Sequence, residues 1–188
     1  MRRLAPVLVL ALTVAACGSD AASPVPTTSV ELTSTTASAA VAGEPAGTTS
    51  FTDLAQTHVE TLVDYPQTPP VGGPHSRVWQ NCQYYDTSIP NARGVHSMEH
   101  GAVWITYRPE LTQSDRRLLR NLAATGDHIL ISEYDGLPSP VVASAWGMQL
   151  ALQSIADPGL QQFVDAFQVG PQTPESGVTC RESTSETS

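Results

Sequence analysis

Apolar and polar positions along the 188-residue chain change period several times, and each change predicts an element. Between residues 51 and 65, Phe51, Leu54, Ala55, Val59 and Leu62 recur at helical spacing, but 58–65 reads equally well as a strand, so the segment stays open between the two. Residues 66–74 hold four prolines and two glycines and predict an extended loop. Residues 102–107 (AVWITY) predict a strand, with Trp104 and Tyr107 among β-branched neighbours. A helix follows: Thr112 with Asp115 three residues on resembles a capping box, Leu118, Leu119, Leu122 and Ala123 line one face, and Gly126 stops it. Residues 128–134 (HILISEY) and 141–146 read as two further strands, separated by the proline-bounded turn 137–140. Asp157 and Pro158 open a last helix through Leu160, Phe163, Val164 and Phe167, ended by Gly170 and Pro171. The order strand, helix, strand, strand, helix predicts a single small α+β domain, a mixed or antiparallel sheet with two or three packed helices. No internal repeat interrupts it.

The amino-terminal pattern is of another kind. Arg2 and Arg3 precede an apolar run over 4–16 that is too short for the ~20 residues a membrane-spanning helix needs, and it reads as a secretory signal. The run ends in Val14-Ala15-Ala16-Cys17, which resembles the lipobox of bacterial lipoproteins; Cys17 would then carry the lipid and anchor the chain at the outer face of the membrane. Residues 18–50 are almost entirely Ser, Thr, Ala, Pro and Gly with no aromatic residue, so they cannot bury enough surface to fold and predict a disordered tether. The expected organisation is a signal peptide over 1–16, a lipidated cysteine and tether over 17–50, a globular domain over 51–180 and a disordered polar tail over 181–188.

Charge narrows the function classes. The nine basic residues are all arginine, so Schiff-base chemistry on lysine and the lysine of a phosphate-binding P-loop are excluded. A net charge of -9 argues against a nucleic-acid partner, whose phosphates are neutralised by Lys and Arg. With Cys17 taken by lipid, Cys82 and Cys180 remain, and in an exported protein they are expected to be disulfide-bonded. The chain has no C-x-x-C, so nothing supports thiol–disulfide oxidoreductase chemistry.

Histidine is the residue type left to carry chemistry. The stretch Gly94-Val95-His96-Ser97-Met98-Glu99-His100-Gly101 is the most informative. In a helix, positions 96, 99 and 100 share a face, with side chains four apart about 6 Å from each other. In a strand four residues rise about 13 Å, so the two imidazoles could not reach one ion. A metal site here therefore demands a helical turn or a bend, and the flanking glycines make a short irregular turn plausible. His75, at the end of the proline-rich loop, offers a third imidazole. The same residues spell H-x-x-E-H, a zinc-protease signature in which Glu99 would be the general base, although Gly101 leads directly into a strand where those enzymes continue a helix. Two histidines on a surface turn with no ligand are the plain alternative. His128 reads as the start of a strand, and His58, on an apolar stripe, as a core histidine.

Around these residues the chain resembles a known family. His58-Val59, Tyr65, the loop Pro69-Pro70-Val71-Gly72-Gly73-Pro74-His75, and the run from Val95 to Val103 followed by Tyr107 resemble the domain-of-unknown-function 3105 family over nearly the whole folded part. The family loop usually reads P-P-T-S-G-P-H, so Val71 and Gly72 depart from it. Asn81-Cys82, the stretch 141–150 and the ending Gly170-Pro171-Gln172-Thr173-Pro174-Glu175 with Cys180 look like the actinobacterial form of that family. The resemblance implies no activity, but it groups His58, His75, His96 and His100 on family motif positions and leaves His128 outside. Such a cluster outside the cytoplasm, with Met98 and Glu99 nearby, suits Cu or Zn better than Mg or Ca. The expected function is a membrane-anchored extracytoplasmic lipoprotein that binds a transition metal through His75, His96 and His100, with His58 or Glu99 completing the site. The rivals are a non-catalytic envelope interaction module with structural histidines, and a small metal-dependent hydrolase.

Overall fold

The structure, a computed structural model, describes residues 43–188, in which β1 (Thr49–Ser50), α1 (Asn91–Glu99), β2 (Val103–Tyr107), α2 (Gln113–Ala123), β3 (Ile129–Glu133), β4 (Val141–Ala145), β5 (Met148–Leu152) and α3 (Pro158–Phe167) follow one another. The strands form one mixed sheet in the order β1-β5-β4-β2-β3. Only β2 and β3 are parallel, joined by α2 as their crossover; the other pairs are antiparallel. The expected α+β class with a mixed sheet is therefore what forms, with three helices.

Every residue of β2 is buried, so its alternating side chains pack two cores. Val103, Ile105 and Tyr107 join Leu119 and Ala123 of α2 and Leu160, Phe163, Val164 and Phe167 of α3. Trp104 joins the other core with Val95 and Met98 of α1, Leu130, Trp146, Cys82 and Cys180. Met98 therefore faces the core.

The expected local signals hold where packing agrees with them. Thr112 caps α2 by accepting from the Asp115 N–H, and Asp157 caps α3 by accepting from the Gly159 N–H, with Pro158 in the first turn. Four places differ. The short irregular turn expected between Gly94 and Gly101 is the end of the nine-residue helix α1. Residues 51–65 are neither helix nor strand, apart from a bridge that pairs His58 with His75. The stretch after Trp146 returns as β5, turning at Gly147 with φ +70°. Both expected boundaries of the domain also move outward. Thr49 and Ser50, placed in the tether by composition, pair with Gln149 and Met148 at the sheet edge. The polar tail is tied down too: the Asn81 N–H donates to Thr184 O (2.8 Å), the Ser183 N–H to Asn81 Oδ1 (2.8 Å), and Arg93 Nη1 to Glu186 O (3.1 Å). Backbone pairing is indifferent to composition, so polar, Thr- and Ser-rich segments can join a sheet or a bridge without an apolar signal.

Cys82 and Cys180 form the expected disulfide, closing 98 residues, and the Cys82 N–H donates to the Cys180 carbonyl at 2.8 Å. The signal peptide, Cys17 and the tether as far as residue 42 lie outside the described residues. Among the described residues no helix is long and apolar enough to cross a membrane.

Candidate metal centre

The carboxyl end of α1 supplies three of the site's side chains. Gly94 lets this helix lie on the sheet, because a Cβ there would come within 2.7 Å of the Trp104 ring. At the other end Gly101 takes φ +99°; its N–H donates to Met98 O and the Ala102 N–H to Ser97 O, both at 3.0 Å, the two bonds of a Schellman stop. The helix thus ends with His96, Glu99 and His100 on one face, the spacing of neighbours i, i+3 and i+4.

Two loops bring the remaining groups. The Val59 N–H donates to His75 O (2.7 Å) and the His75 N–H to Thr57 O (2.9 Å), which seats His58 beside His75. The proline-rich loop is held by the Tyr65 hydroxyl on Pro74 O (2.7 Å), by the Gly147 N–H on Val71 O (2.7 Å) and by Gln149 Nε2 on Pro69 O (2.9 Å). None of these bonds needs the hydroxyls usual at positions 71 and 72. Gly72 takes φ +148°, and a Cβ there would lie 2.8 Å from the flexible end of the Leu54 side chain and 3.3 Å from the Trp146 ring, so a larger residue would have to displace the leucine. The segment after α3 brings Glu175, whose N–H donates to Glu99 O (3.0 Å).

The imidazole tautomers follow from their partners. A carbonyl oxygen only accepts, so a ring nitrogen facing one carries the hydrogen. His75 Nδ1 donates to Gly73 O at 2.8 Å, His96 Nδ1 to Ser76 O at 2.7 Å, and His100 Nδ1 to Thr179 O at 2.9 Å. In each neutral ring the lone pair is therefore on Nε2. Two such lone pairs meet where His96 Nε2 lies 3.0 Å from His100 Nε2, and His75 Nε2 lies 2.8 Å from Glu99 Oε2. His58 Nε2 is buried without a hydrogen-bond partner, 3.8 Å from the same Glu99 oxygen. His100 Nε2 is 3.5 Å from Glu175 Oε2.

A proton would separate the facing atoms of His96 and His100, but burial works against it on both rings. His96 is pushed down to about 4, by desolvation first and then by the neighbouring histidines, against the pull of Ser76 O. His100 is lowered by burial as well. Burial pushes the Glu99 carboxyl up, outweighing the attraction of His75. A protonated Glu99 donates to His75 Nε2, so the pair left without a hydrogen between its atoms is His96 Nε2 and His100 Nε2.

Its ligand atoms fall into two overlapping groups, each with all members within 4.8 Å of one another: His58, His75, His96 and Glu99; and His96, His100 and Glu175. Ligands of a tetrahedral ion at zinc–nitrogen distances stand about 3.3 Å apart, inside that spread. The expected set is thus brought together, but His100 joins Glu175 and His96, while His75 sits with His58 and Glu99. His58, a core histidine by its apolar stripe and a candidate ligand by the family resemblance, is a member of the cluster. His128 is apart from it, donating from Nε2 to Val178 O at 3.0 Å. Glu175 had no assigned role in the sequence reading; its only signal was its place in the resembling carboxyl-terminal motif.

No curated protein and no solved structure matches the chain. A family model described as a protein of unknown function (DUF3105) matches residues 58–182, which spans every member of the cluster.

Proposed function

The chain belongs to the DUF3105 family, defined without an activity, and we propose that its domain binds one transition-metal ion, Cu or Zn, through His58, His75, His96 and Glu99, with His100 adjoining. The observation that carries this reading is the pair of lone pairs on His96 and His100, facing each other at 3.0 Å while both Nδ1 atoms donate to backbone carbonyls. Metal-bound histidines hold their second nitrogen in this way, which fixes the tautomer and aims the lone pair. Imidazole with carboxylate suits Cu(II) or Zn(II), whereas Mg and Ca favour shells of oxygen. The test is metal analysis of the purified full chain beside a His96→Ala, His100→Ala double variant. One equivalent in the first and none in the second is expected; negligible metal in both sinks the proposal.

The setting we propose is the outer face of the membrane, with Cys17 lipidated. Arg2, Arg3, the apolar run and the small residues before Cys17 support it. A Cys17→Ser variant should leave the membrane fraction; unchanged retention refutes the anchor.

A second reading has its own support. His96, His100 and Glu175 are the His2Glu composition of catalytic zinc sites, and Glu99 then stands as general base in the H-x-x-E-H pattern with a raised pKa. In that case Glu99→Gln keeps the metal and loses turnover. On the first reading Glu99 is itself a ligand, and the same substitution weakens the metal.

A further inference from the structure

The two groups of ligand atoms share one member, His96, and this sharing carries more than a binding site. His96 Nδ1 is committed to Ser76 O at 2.7 Å, so only Nε2 is free, and one lone pair serves one ion. Neither carboxylate belongs to both groups, so no side chain in them is placed to bridge two ions. Filling both at once would leave one group without its central imidazole, and the outer one with only His100 and Glu175.

The two positions also differ in access. Glu99 and His100 are each 2% exposed and His75 is fully buried, but the Glu175 side chain is 47% exposed. His58 is partly exposed at 31%, but Glu175 is the more exposed of the two and the only carboxylate ligand of the cluster that reaches solvent, where an acidic side chain attracts cations.

We propose that the cluster holds one divalent ion at a time and that His96 hands it between an outer position, with His100 and Glu175, and an inner one, with His58, His75 and Glu99. This rests on the metal reading above and adds how the ion enters and leaves. On entering, the ion exchanges water for Glu175, His100 and His96. Its bonds to His100 Nε2 and Glu175 then break as those to His58, His75 and Glu99 form, with His96 Nε2 bound throughout. No electron moves, and the oxidation state of the ion is unchanged. Release retraces these steps, with an incoming ligand taking over from Glu175. The domain is then an exchanger, built to take up and give out its ion.

The experiment loads the full chain with Zn(II) and follows its transfer to a chromophoric chelator by stopped flow, in the wild type, in Glu175→Gln and in His58→Ala. One zinc per chain at saturation is expected in the wild type and in Glu175→Gln. Glu175→Gln should slow uptake and release together by about tenfold, leaving Kd nearly unchanged, because it alters the path and not the resting place. His58→Ala should weaken Kd by about tenfold instead, because it removes a resting ligand. Two zinc ions per wild-type chain, or unchanged exchange in Glu175→Gln, overturns the handover while the metal reading stands. A wild-type chain that binds no zinc overturns both.

Discussion

His96 Nε2 and His100 Nε2 stand 3.0 Å apart with no hydrogen available to either from its own ring, since both rings have turned their N–H to a carbonyl. Two acceptors at that distance repel unless a cation lies between or beside them. Bringing them together costs folding free energy that a bound ion would offset.

Removing the shared ligand should therefore do more than removing any other histidine. His96→Ala is expected to weaken Zn(II) binding by about 100-fold or more, roughly 3 kcal/mol, and His128→Ala to leave it unchanged. Competition titration against a chelator measures both, and equal affinities for the two variants would contradict the site.

An ion that binds the native state and not the unfolded chain stabilises by mass action. At a free concentration 100 times Kd, the gain is about 2.7 kcal/mol, a rise of several degrees in Tm. Thermal unfolding of the full chain with Zn(II), and again with excess chelator, gives the comparison. A midpoint indifferent to both supports purely structural histidines.

The metal-free protein should lose stability in mild acid. The native pKa of His96 is about 4 against 6.5 in the unfolded chain, so between those values the unfolded state carries a proton that the native state refuses. Stability is full above about 6.5, falls as pH drops through the window, and levels off below about 4. His100 is shifted in the same direction. Glu99 acts oppositely: its raised pKa lets the native state take a proton first, which offsets part of the loss at the acid end. Urea unfolding at pH 7.5 and 5.0 should differ by about 1 to 2 kcal/mol more in the wild type than in His96→Gln. Equal differences would remove His96 as the cause.

The disulfide supports the site as well as the fold. Cys180 follows Thr179, whose carbonyl orients His100, and Cys82 anchors that segment to the front of the domain. A Cys82→Ala, Cys180→Ala double variant should lose about 2 to 5 kcal/mol of stability. It should also bind Zn(II) more weakly. Unchanged affinity in a folded double variant would detach Thr179 from the site.

Gly94→Ala probes the seat of α1. The new methyl would meet the fully buried Trp104 ring at 2.7 Å, so the ring or the helix has to shift. A loss of about 1 to 3 kcal/mol in chemical unfolding is expected; a neutral result would mean that the helix shifts freely on the sheet.

The helices that the sequence made legible are those with one buried and one wet face, while β2, β3 and β4, buried almost throughout, were legible as short runs rich in apolar residues. α2 shows its stripe because Leu119 and Ala123 are buried while the opposite side is solvated, and Thr112 marks its start. α1 hides because both faces are covered: Val95 and Met98 meet Trp104, and His96, Glu99 and His100 meet the loops. A helix buried through histidine and glutamate has no apolar period to read. β5 was obscured by its pattern of partial burial, and β1 and the tail pair through backbone alone. The four clustered histidines were legible as a set. Their division between two positions was not, since it depends on Glu175, which reaches the cluster from 75 residues beyond His100.

The two-residue strand β1 precedes His58 by only a few residues, and it holds the sheet edge by short antiparallel pairing plus the Phe51 N–H on Gly147 O at 2.7 Å. A pull arriving along the chain from residue 43 meets that strand before it meets the ligand. The pairs at Thr49 and Ser50 would peel one after another while the bridge between His58 and His75 stayed closed. In mechanical language, β1 is a strain relief: it gives first, and the imidazole behind it keeps its place.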